Sequence, residues 1–134
     1  MTDALVAAAK AAREQAFAPY SKFKVGAALL AEDGTIVTGC NVESASYGLT
    51  LCAERVAIVK GVSEGRRKFT CVAVVADTDS PTPPCGACRQ LLWEFAPEAE
   101  VILENLSGTR KRFMMRELLP YGFDGGFLTG EPGA

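Results

Sequence analysis

The chain has 134 residues, a formal net charge of −2 and no histidine. With 49% apolar and 22% charged residues it is excluded from the disordered class, and no apolar run approaches the roughly 20 residues of a membrane span. The near balance of 14 basic and 16 acidic side chains argues against a global positive field, so a small-molecule substrate is expected rather than nucleic acid.

In chain order, Thr2 is expected to cap a first helix. Its apolar positions Leu5, Ala9, Ala12 and Ala16 recur at three- and four-residue steps and stop before Pro19. Asp3, Lys10, Arg13 and Glu14 interrupt any secretory apolar region, so this stretch is read as a mature helix. Val25 to Leu30 and Thr35 to Cys40 form a hairpin around Asp33-Gly34. A second helix is expected from about Leu51 to Lys60, with Cys52, Val56 and Val59 on one face and Gly61 as its stop.

Cys71 to Ala76 is a continuous apolar run of the kind buried on both sheet faces. A Pro-rich loop then leads to a third helix from about Cys85 to Phe95. Glu100 to Leu103 and Lys111 to Met114 are strands whose connection is too short for a parallel crossover, so they are antiparallel neighbours. Met115 to Leu119 is read as a short helix and the Gly-rich tail as irregular. The order αββαβαββ points to one α/β domain over residues 1–134, a three-layer α/β/α sandwich with a mixed five-stranded sheet.

Five cysteines, an odd number without a signal peptide, argue for reduced thiols in the cytoplasm. Without imidazole, a transition metal must rest on thiolates and carboxylates, and no Ser-His or Cys-His pair can form within the chain. Pro84-Cys85-Gly86-Ala87-Cys88 alone fits a redox dithiol, half of a structural zinc site, or two ligands of a catalytic one. Cys52-Ala53-Glu54 supplies a third thiolate at another helix start and a carboxylate two residues on. Three protein ligands leave a fourth tetrahedral position for water, with Glu54 as the general base beside it. Cys40 and Cys71 are read as core.

Together Cys52-Ala53-Glu54 and Pro84-Cys85-Gly86-Ala87-Cys88-Arg89-Gln90 resemble the signature of the zinc-dependent nucleoside and nucleotide deaminases. The likeness runs from Ala18-Pro19-Tyr20-Ser21 to Leu118-Leu119-Pro120 and is nearest the short homotetrameric, three-cysteine cytidine deaminases. It implies one Zn²⁺ per subunit on Cys52, Cys85 and Cys88, proton transfer by Glu54, and hydrolytic loss of ammonia from C4 of cytosine. It also implies that Phe23 packs by the pyrimidine, that Asn41 and Glu43 grip the ribose hydroxyls, and that the backbone around Ala53 faces the base. Pockets shared between subunits would make Phe123 a donor to a neighbouring site. Each of Phe23, Asn41 and Glu43 taken alone reads more simply as core, turn and surface residue.

Three thiolates on Zn²⁺ leave a net charge of −1, and Arg55, three residues from Cys52, is the candidate to offset it. Three rival readings compete with this one. A polynucleotide editor is disfavoured by the charge balance and the short last connection. An antibiotic-nucleoside deaminase shares the metal motifs but is disfavoured by Phe23 with Asn41 and Glu43. A non-catalytic zinc module lacks a suitably placed fourth cysteine.

Overall fold

A computed structural model describes residues 2–130. The principal elements are helix α1 (Thr2–Arg13), strands β1 (Val25–Ala31) and β2 (Ile36–Cys40), helix α2 (Ala53–Ser63), strand β3 (Phe69–Ala76), helix α3 (Gly86–Phe95), and strands β4 (Glu100–Asn105) and β5 (Arg110–Met114). Two short helices, α4 (Met115–Leu118) and α5 (Gly126–Thr129), follow.

The five strands form one mixed sheet in the order β2-β1-β3-β4-β5. Only β3 and β4 run parallel, in the register Val74 to Leu103, while β4 and β5 are antiparallel as their short connection requires. Side-chain alternation along the strands builds two apolar clusters. Ala27, Leu29, Val72, Val74, Val101 and Leu103 pack with Ala57 and Ile58 of α2 and Leu92 of α3. The alternate residues Ala28, Ala73, Val75 and Ile102 pack with Leu5, Val6 and Ala9 of α1. Helices therefore cover both faces, and β1, β3 and β4 are each buried on both, β3 as its unbroken apolar run demands.

Several boundaries differ from the sequence expectation, each for a local reason. Helix α1 ends at Arg13, so Ala16 lies beyond it in a turn, and Thr2 is inside the helix rather than at its cap. Gly61 does not stop α2, which runs on to Ser63. A Cβ at Gly61 would sit 2.7 Å from the ring of Phe69, so this glycine serves packing, and the left-handed residue after the helix is Gly65 at φ +100°. The buried face of α2 is Ala53, Glu54, Ala57, Ile58 and Gly61, not the face of Val56 and Val59, and Val59 is half exposed. β3 begins two residues earlier than expected, at Phe69, whose ring fills the space left by Gly61. The tail is not wholly irregular, since Gly126–Thr129 makes one helical turn. Cys40 and Cys71 are half-buried rather than fully core.

Candidate metal centre and cavity

Two glycines let the helices approach the sheet closely enough to build a site. A Cβ on Gly39 in β2 would lie 2.5 Å from the Ala57 nitrogen and 2.6 Å from the Ala53 carbonyl oxygen, so the first turns of α2 rest on bare strand backbone. On the opposite face, Gly26 in β1 makes the same kind of contact with α1, where a Cβ would lie 1.9 Å from the Ala9 carbonyl oxygen. The loop after β3 is braced by Thr78, whose hydroxyl meets those of Thr82 at 2.8 Å and the Ser80 carbonyl at 2.6 Å. Asn105, buried at the end of β4, donates to the Asp79 carbonyl at 2.9 Å. This bracing delivers Pro84 and Cys85 to the start of α3.

Cys52 and Cys85 occupy equivalent positions, each the N-cap of its helix with extended backbone and no side-chain cap bond. The unpaired N–H groups of each first turn therefore meet a sulfur that their field favours as thiolate. Cys88 sits one turn into α3 and is wholly buried. The Sγ atoms of Cys52 and Cys85 are 3.7 Å apart, those of Cys85 and Cys88 3.3 Å, and all three lie within 4.8 Å of one another. A tetrahedral ion bonded to sulfur at about 2.3 Å needs sulfurs roughly 3.8 Å apart, so this soft, three-thiolate donor set fits Zn²⁺ with one position left open.

Charge within the cluster is unequally shared. The hydrogen bond from Cys88, joined by the Arg55 guanidinium, holds the Cys52 thiol down at about 5. The same bond to Cys52, with burial and the nearby Glu54 charge, pushes the Cys88 thiol up. Arg55 Nη2 lies 3.7 Å from Cys52 Sγ and donates to the Thr50 carbonyl at 3.1 Å, an anchor that aims the cation at the sulfur. Glu54 is buried beside the cluster, and burial, reinforced by the Cys52 charge, raises its carboxyl to about 7.

A cavity of about 240 Å³ opens onto this centre and is lined by Cys52, Ala53, Glu54 and Cys85, with Phe23, Asn41 and Glu43 farther out. Of the residues singled out from the sequence, all but Cys88, Arg55 and Phe123 line this cavity. Cys88 lies beneath the cavity and Arg55 beside Cys52. Phe123 is not among the lining residues; its ring stacks on Phe127 at 5.5 Å and its carbonyl accepts from Gln90 at 2.8 Å. Asn41 does more than its assigned role. Its Oδ1 accepts from the Val25 N–H at 2.9 Å and its Nδ2 donates to the Phe23 carbonyl at 2.7 Å, so the amide clamps the loop that carries Phe23. Sequence reasoning gave no task to Ser21, Thr50 or Thr82, which also line the cavity. For Ser21 a signal was present, since it belongs to the Pro19-Tyr20-Ser21 stretch of the resemblance.

The family model described as the cytidine and deoxycytidylate deaminase zinc-binding region matches residues 1–104. The cytidine deaminase of Sporosarcina psychrophila is 56% identical over 120 residues, covering 89% of this chain and 88% of that protein. The crystal structure of cytidine deaminase from Burkholderia pseudomallei superposes with a TM-score of 0.89 at 51% identity, covering 92% of this chain and 99% of its own. Blasticidin-S deaminase of Bacillus cereus is more distant, 32% identical over 108 residues and covering 75% of this chain and 76% of its own. With the three-cysteine centre, the buried carboxyl and this likeness over most of its length, the chain belongs to the zinc-binding cytidine and deoxycytidylate deaminase family.

Proposed function

We propose that the protein hydrolytically deaminates cytidine and 2′-deoxycytidine, giving uridine or 2′-deoxyuridine and ammonia. The observation that carries this reading is Glu54, a buried carboxyl placed in the cavity wall beside a three-cysteine centre. Zn²⁺ held by Cys52, Cys85 and Cys88 supplies the Lewis acidity that makes water a nucleophile near neutral pH. Glu54 takes a proton from the attacking water, passes it to N3 of the pyrimidine and carries a further proton to the departing C4 nitrogen. The carboxyl serves for this because, buried in the cavity wall, it can accept a proton from water and return it to the substrate.

Phe23 forms the apolar wall for the base, the backbone at Ala53 faces its polar edge, and Glu43 with Asn41 meets the ribose. The cavity's lining includes the carboxyl groups of Glu43 and Glu54 and, among the described residues, no basic side chain, which favours an uncharged nucleoside over a phosphorylated one. The 56% identity to a cytidine deaminase, against 32% to the antibiotic deaminase, supports the same choice. Among the described residues no helix is long and apolar enough to cross a membrane. We place the enzyme in the cytoplasm, in pyrimidine salvage, as a homotetramer in which Phe123 reaches a neighbouring pocket.

The test is Glu54→Gln. The amide keeps the size of the side chain but cannot accept a proton, so the variant should hold stoichiometric zinc while losing roughly 10⁴-fold or more in rate. Cytidine loss followed by ultraviolet absorbance, with metal analysis on the same sample, measures both. Near-normal activity would sink the assignment of Glu54.

A further inference from the structure

We propose that Ser21 is a positioning residue whose single hydroxyl ties the Glu43 carboxylate to the Phe23 wall and thereby sets the preference for a substrate bearing ribose hydroxyls. The proposal rests on the reading of Glu43 as the ribose ligand. The hydrogen bonds around Glu43 are its basis. Glu43 Oε1 accepts from the Tyr20 N–H at 3.0 Å and the Ser21 N–H at 3.1 Å, and Oε2 accepts from the Ser21 hydroxyl. The oxygen of that hydroxyl in turn accepts from the Phe23 N–H at 3.0 Å.

A serine hydroxyl has one proton, and here Glu43 takes it, while a lone pair of the same oxygen holds the backbone of Phe23. Lys22, between the two, has φ +62°, an unusual conformation for a residue with a side chain, and it folds the chain so that Ser21 and Phe23 meet. A carboxylate offers about four lone-pair sites, so three donors from the turn leave about one for a ligand hydroxyl.

What this restrains is visible next door. Glu43 lines both the cavity at the metal centre and an adjoining one of about 370 Å³, shared with Tyr20, Ser21, Tyr47 and Thr50. Without the Ser21 hydroxyl, the carboxylate has room to rotate into that second space and away from the substrate. The same hydroxyl is the first cause of a Glu43 carboxyl lying below its ordinary value, which keeps the acceptor charged.

The experiment compares cytidine with 2′,3′-dideoxycytidine in wild type, Ser21→Ala, Ser21→Thr, Glu43→Ala and the Ser21→Ala/Glu43→Ala double variant. Loss of a hydrogen bond to a charged group should raise KM for cytidine about tenfold in Ser21→Ala, with kcat within about twofold. KM for the dideoxy substrate should stay unchanged, and Ser21→Thr, which keeps the hydroxyl, should restore cytidine binding. In the Glu43→Ala background, Ser21→Ala should add nothing further, the mark of two residues acting as one. Equal losses on both substrates, or a full Ser21→Ala effect when Glu43 is already absent, would overturn the positioning role while leaving Glu43 as ribose ligand intact. If Glu43→Ala alone keeps the full preference for cytidine, the ribose reading of Glu43 fails, and the role of Ser21 with it.

Discussion

Three thiolates around a divalent ion carry one negative charge too many for a strong Lewis acid, and Arg55 is the cation in contact with the set. Its guanidinium is held by the Thr50 carbonyl, and its Nε is buried without a partner, so its placement serves the sulfur rather than solvent. Arg55→Gln should keep most of its zinc, lower the deamination rate and move the acidic limb of the pH–rate profile upward; an unchanged rate and profile would show that the helix N-termini alone balance the charge. Glu54 gives a second expectation, in zinc-stripped protein. Its folded pKa of about 7 stands above the ordinary 4.5, so between these values the folded chain holds a proton that the unfolded chain has lost. That contribution to stability falls as pH rises through this window. Cys52, at about 5 against 9, acts in the opposite sense, so the comparison must be with Glu54→Gln at each pH. Apo Glu54→Gln should gain on apo wild type by roughly 3 kcal/mol between pH 4.5 and 7 and no further above it, measured by chemical unfolding. The meeting of three cysteines with Glu54 beside them was legible in the sequence because few residue types can bind zinc or move protons, and their spacing marks two helix starts. The task of Ser21 was not, because a serine in a turn has many ordinary partners and only the fold brings Glu43, 22 residues away, against it.

At the scale of elements, the order of helices and strands could be read because hydrophobic period and turn residues report it directly. What could not be read is which face of α2 is buried. Val56 and Val59 are the more apolar choice, yet the helix lies on Gly39 through Ala53 and Ala57, because small residues on both sides permit backbone contact and larger ones do not. Close approach, not hydrophobicity, selected the face. Gly39→Ala should therefore act on the metal centre from a distance. Its Cβ would displace the first turns of α2, costing about 1–3 kcal/mol and lowering zinc retention along with activity. Thermal unfolding and a chelator challenge check both effects, and unchanged zinc retention would mean that α2 is held by its other contacts.

The whole molecule leaves large apolar side chains in water. Tyr47 and Leu49 lie 74% and 70% exposed near the cavity, and Phe127 and Leu128 are 60% and 79% exposed toward the tail. Such exposure suits surfaces that meet other copies. Sedimentation should find a species of about four subunits, and an active monomer at assay concentration would refute shared pockets. The metal centre also matters to the molecule as a cross-link. Cys52 and Cys85 are separated by 33 residues, and an ion joining them closes a loop of that length, much as a disulfide would. Inside that loop runs β3, the central strand of the sheet, buried on both faces. Zinc held there would fasten the chain on either side of the central strand, and releasing the ion would loosen the middle of the sheet as well as the mouth of the cavity.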